Sequence, residues 1–78
     1  MARAKYYIKR QMEGKEVEEL ANFTRKDRAE RLLNKLFKGL KKVDSHFIYT
    51  YWVRQGYFKS EFVGLCVNFK TEYWIEKY

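Results

Sequence analysis

Within residues 24–43 the apolar side chains Ala29, Leu32, Leu33, Leu36, Phe37, Leu40 and Val43 recur at steps of three and four. At 100° per residue they fill one arc of about 140°, the stripe of a helix that covers a core on one side only. No other segment of the 78 residues carries this period over so long a span. A lone amphipathic helix must bury its stripe against a sheet. The ends of the segment carry matching signals. Thr24 is placed to cap the helix, Asp27 three residues on makes a weak capping box, and Phe23 can staple the entry. Gly39 either ends the helix or lets it approach the sheet closely, and Lys41 and Lys42 suit the negative end of the helix dipole.

The flanking segments read as strands. Lys5 to Met12 contains Tyr6, Tyr7 and Ile8, which suit a pleated surface. Glu13-Gly14 can close a hairpin, with Lys15 to Phe23 returning so that Lys9 faces Glu18 and Tyr7 faces Leu20. The helical spacing of Val17, Leu20 and Ala21 is the competing reading of that return. After a turn at Asp44-Ser45, His46 to Arg54 is dense in aromatic and β-branched residues. Gln55-Gly56 reads as a two-residue loop, and Tyr57 to Phe69 returns. Regular pairing across that loop sets Val53 opposite Phe58 and Tyr49 opposite Phe62. Phe47, Tyr49, Tyr51, Val53, Phe58 and Phe62 then lie under the helix. Ile48, Thr50, Trp52, Arg54, Tyr57, Lys59 and Glu61 take the other face. The alternation shifts beyond Gly64, as at a bulge, and Tyr73 to Lys77 can add a short last strand. The expected fold is α+β: a two-layer ββαββ(β) arrangement in a single domain over residues 1–78, with one amphipathic helix packed on one face of an antiparallel sheet.

A chain of this length buries only about 60–65% of its unfolded surface, which leaves little room for a deep catalytic cavity. There is no Gly-rich phosphate loop, CxxC, HExxH or GxSxG pattern, and the acids are scattered rather than clustered. His46 is the only histidine and Cys66 the only cysteine. No metal site, cofactor or catalytic residue is therefore expected, and Cys66 reads as a buried strand thiol. No apolar run approaches the ~20 residues of a membrane span. Charges interrupt Met1-Ala2-Arg3-Ala4-Lys5 too early for a leader, so the expectation is a cytoplasmic, non-enzymatic protein.

The net charge is +7, and it is concentrated. Residues 1–24 carry five Lys/Arg against four acids, residues 25–43 eight against two, and residues 44–78 four of each. Arg28, Arg31, Lys35, Lys38 and Lys42 fall within about 80° of helical arc, roughly opposite the apolar stripe. Like charges at this spacing repel by a few tenths of a kcal/mol per pair, so the row opposes helix stability. It also makes a local field that favours anionic partners. The bland alternative is a solvated face that happens to be rich in Lys and Arg. Asp27 is expected to pair with Arg31. A second candidate surface comes from the aromatic excess, 15 of 78 residues. On the sheet face away from the helix, Trp52, Arg54, Tyr57 and Lys59 would set rings beside cations, suited to stacking on bases or to a protein contact. Cross-strand pairing on an exposed sheet is the bland alternative there.

These features point to a small basic binding module whose helix face contacts nucleic-acid phosphates, DNA or RNA. The alternative is a compact inhibitor or adaptor of phage or mobile-element type, using the same row against an acidic or nucleic-acid-binding surface of a partner protein. A homodimer through the aromatic sheet is compatible with both.

Overall fold

The structure is a computed structural model that describes residues 5–78; Met1 to Ala4, read above for a leader, lie outside the described residues. The elements run β1 (Tyr6–Met12), β2 (Glu18–Phe23), α1 (Lys26–Lys41), β3 (Ile48–Arg54), β4 (Tyr57–Val63) and β5 (Asn68–Lys77). The strands form one antiparallel sheet in the order β2-β1-β5-β4-β3, with α1 on one face, which is the two-layer α+β arrangement. The segment read as a short terminal strand is instead the longest one and the centre of the sheet. β5 pairs along β1 from Tyr6–Lys77 to Met12–Thr71, and along β4 from Tyr57–Trp74 to Val63–Asn68.

The helix carries the chain from one edge strand, β2, to the other, β3. Its stripe behaves as its period dictates. Ala29 and Leu33 are buried with Ile8, Phe58 and Tyr73, and Leu32, Leu36, Phe37 and Leu40 pack around them. Val43 lies past the helix end and is exposed. Phe58 and Tyr73 stack across β4 and β5 with centroids 4.7 Å apart, which anchors the sheet side of the core. Thr24 does not cap the helix. The helix starts later, the cap position is Arg25 in an extended conformation, and its side chain makes no cap hydrogen bond. Its guanidinium instead donates to both Asp27 carboxylate oxygens, at 3.1 and 3.2 Å.

Gly14 and Gly56 both have φ of +78°, the left-handed conformation for which a hairpin loop selects glycine. The β1–β2 pairing is offset from the expected register. Lys9 faces Glu19, Arg10 faces Glu18 and Tyr7 faces Asn22, with an irregularity after Ile8. In the β3–β4 hairpin the Gln55-Gly56 loop stands as read, but Val53 is an unpaired extra residue between the Trp52–Phe58 and Arg54–Tyr57 pairs. One extra residue inverts the faces of everything before it. Trp52, Thr50 and Ile48 therefore lie on the helix side with Phe58, Ser60 and Phe62, while Tyr49 and Tyr51 lie on the open side, the reverse of the expectation. Gly64 is not a bulge. It closes a tight reversal, with its N–H donating to the Val67 carbonyl at 2.8 Å, around Leu65 and Cys66. Cys66 is consequently exposed at a hairpin tip, not buried in a strand.

Edge strand β3 is closed by the segment that leads into it. Thr50 is buried, and its N–H and C=O point away from β4. Asp44 accepts from the Thr50 N–H at 3.1 Å and from its hydroxyl at 2.8 Å, and the Lys41 ammonium donates to its carbonyl at 3.0 Å. Lys41 and Asp44 also pair with each other at 3.0 Å. These contacts pair the outward backbone groups of Thr50, which would otherwise be free to recruit another strand.

Candidate functional site

Arg28, Arg31, Lys35, Lys38 and Lys42 are all exposed. The first four stand on α1 and Lys42 at its C-cap. From Arg28 to Lys42 the row extends about 21 Å at 1.5 Å per residue. Among the described residues none of the five lies within ion-pair distance, 4.0 Å, of a carboxylate. The acids in and beside the helix are engaged elsewhere. Asp27 holds Arg25 rather than Arg31, Glu30 lies 3.8 Å from Lys26, and Asp44 holds Lys41. Those three cations sit outside the arc of the row. The segment thus separates its cations into paired ones that serve the fold and a free line that faces water.

Beside the N-terminal half of the row lies a shallow groove of about 320 Å³ between α1 and the end of β2, lined by Phe23, Arg28, Arg31, Leu32 and Lys35. Phe23 and Leu32 read from sequence only as core and staple residues. Their role as the apolar side of a cationic groove follows from the edge position of β2, which no local pattern announces.

The second candidate surface comes together only in part. Arg54, Tyr57 and Lys59 converge, with the Arg54 guanidinium 5.2 Å and the Lys59 ammonium 6.0 Å from the Tyr57 ring centroid, around a depression that also includes Val53. Trp52 is not among them. The Val53 bulge turns it under the helix, where it stacks on Phe37 and meets Phe58 edge-on. Lys59 and Tyr57 are also engaged by an acid. Lys59 lies 3.7 Å from Glu72, and the Tyr57 hydroxyl donates to the same carboxylate at 2.5 Å. Burial, reinforced by that hydrogen bond and the Glu72 charge, pushes the Tyr57 phenol up to about 12. Further along the open face Tyr51 donates to Glu61, and Lys9 pairs with Glu76 at 3.8 Å beside the Tyr7 and Tyr78 rings. Alternating acids, cations and phenols satisfy one another across this face, so it offers an anion much less than the helix does.

Among the described residues no three His, Cys, Asp or Glu side chains gather where they could hold a metal, and no helix is long and apolar enough to cross a membrane. Comparison with protein-family models, with curated proteins and with solved structures gave no match to this chain. The reading of the site therefore rests on its own geometry.

Proposed function

We propose that the protein is a non-enzymatic binding module that engages a nucleic-acid backbone through the cationic row of α1. The observation that carries this reading is the contrast within one segment. Arg25, Lys26 and Lys41 each have a carboxylate partner, whereas Arg28, Arg31, Lys35, Lys38 and Lys42 have none among the described residues and are exposed together. Phosphates neutralised by such a row release condensed counterions, which drives binding without reading bases. Arg28, Arg31 and Lys35 border the groove and can approach a backbone from its side, while Lys38 and Lys42 extend the line. Arg54, Tyr57 and Lys59 are a subsidiary contact at most, given that Glu72 holds both Lys59 and the Tyr57 hydroxyl.

Fluorescence anisotropy with labelled duplex and single-stranded oligonucleotides over a salt series tests this. Engagement of four or five cations gives a log–log slope near −4 on duplex DNA, and Lys35→Glu combined with Lys38→Glu abolishes binding while the fold is retained. A slope near zero, or binding indifferent to the charge reversal, rejects the reading. Failure to bind either oligonucleotide, together with charge-dependent binding to an acidic protein, would leave the row as the contact surface of an inhibitor or adaptor.

A further inference from the structure

We propose that the tip of the β4–β5 hairpin is a self-association surface on which a second copy of this chain docks. On the helix side of the sheet, strand alternation produces three successive rows. The first is Trp52, Phe58 and Tyr73, of which Phe58 and Tyr73 belong to the core and Trp52 packs edge-on against Phe58. The second is Thr50, Ser60 and Thr71, a row of hydroxyls in which the Ser60 hydroxyl lies 3.3 Å from that of Thr50 and donates to it, the Thr50 proton being given to Asp44. The third is Ile48, Phe62 and Phe69, apolar again, with the two Phe rings 5.9 Å apart.

The helix does not roof this third row. Sixteen residues of helix reach about 24 Å, whereas the ten residues of β5 reach about 33 Å. Phe62 and Phe69 are left 39% and 53% exposed, Val67 49%, and Leu65 at the tip 100%. Because the hydroxyl row intervenes, this surface is separate from the core and is not its frayed edge. With about 200 Å² for a whole ring and less for the aliphatic side chains, the exposed parts of these four side chains sum to roughly 400 Å² of apolar surface in water. That is about half of what each partner buries in a standard interface, so contact through the tip alone gives a weak, concentration-dependent dimer.

Charge identifies the occupant. In a chain that is 35% charged, residues 62–69 carry no charge at all. An acidic partner is drawn to the helix row, not here. Two copies that each carry +7 meet with least repulsion where neither presents a charge. A paired aromatic row is also complementary to itself, as a two-fold contact requires.

Sedimentation velocity over a concentration series tests this with the full chain and Leu65→Asp. Leu65 is fully exposed and touches no core residue, so the variant keeps the fold, which circular dichroism verifies. The expected result is a sedimentation coefficient that rises with concentration for the native sequence, with self-association at least tenfold weaker in the variant and undiminished by added salt in the native protein. A native chain that stays monomeric to millimolar concentration overturns the proposal. So does a dimer that survives Leu65→Asp unchanged, or one that salt dissolves, since either places the contact on another surface, such as the ion-paired open face of the sheet.

Discussion

The Trp52 ring stacks on that of Phe37, with centroids 4.8 Å apart and planes 30° from parallel, and this contact ties an edge strand to the helix. It exists because Val53 is an extra residue, which rotates Trp52 to the side where Phe58 and the helix lie. Trp52 is 38% exposed, so truncation removes a large but incomplete burial. Trp52→Ala is expected to cost about 2–3 kcal/mol, below the 3–5 typical of fully buried large aromatics. Urea unfolding measures it. In the folded variant the salt dependence of oligonucleotide binding stays as in the native protein. A variant of native stability that loses binding would instead place Trp52 in the interface.

The same bulge makes an unusual deletion harmless. Val53 is 51% exposed and has no partner in β4, while the pairs on either side, Trp52–Phe58 and Arg54–Tyr57, are consecutive rungs of a regular ladder. Removing Val53 leaves Trp52 under the helix and Arg54 on the open face, since neighbouring residues alternate. The expected loss is at most about 1 kcal/mol, from the altered twist entering the Gln55-Gly56 loop. Deleting Tyr51 instead exchanges the faces of the residues before it and takes Thr50 out of its site between Asp44 and Ser60, so the protein should not fold stably. Thermal unfolding of the two deletions, side by side, checks both outcomes.

What could be read from the amino acids followed the range of the signal. The helix and its cation row depend on a local period, and they stand where the spacing put them. The faces of β3 depend on counting residues through a hairpin, and one uncounted residue at Val53 reversed Tyr49, Tyr51 and Trp52 together. The helix cap failed by a single position, because Thr24 carries the chemistry of a cap and Arg25 the geometry. The β4–β5 reversal was hidden for a different reason. Turns are recognised by polar residues and glycine, and here Leu65 and Cys66 occupy the tip between apolar neighbours, so the run from Tyr57 to Phe69 looked like one strand. The central place of β5 is a property of long-range pairing, which a terminal segment does not reveal locally.

Asp44 makes the closure of β3 dependent on pH. Desolvation raises its proton affinity, but hydrogen bonds from the Thr50 hydroxyl, Lys41 and the Thr50 N–H outweigh it, and its carboxyl titrates below the ordinary aspartate value. A folded-state value below the unfolded one means that the stabilisation is complete above the ordinary carboxylate range and is lost as pH falls through the lowered folded value. Asp44→Asn removes the charge at every pH. The Tm difference between native and variant proteins should therefore be largest near about pH 7 and close towards about pH 3. A gap independent of pH would mean that the hydrogen bonds to Thr50 act without the charge.

The sharpest contrast lies between two helix lysines three residues apart. Lys38 belongs to the free row, whereas Lys41 is bound by Asp44 and by the Thr50 carbonyl. If the row binds phosphates, Lys38→Gln removes one cation from the contact and lowers the magnitude of the salt slope by about 1, with little effect on stability. Lys41→Gln should do the opposite. It leaves the slope nearly unchanged, because that charge is held at the β3 edge, and it lowers the midpoint of unfolding, because Asp44 loses a partner and the Thr50 carbonyl is left without its donor. Measuring anisotropy slopes and urea midpoints for both variants separates a cation that serves a ligand from one that serves the fold. Equal slope changes at the two positions would show that binding follows net charge alone and that the alignment of the row is irrelevant to it.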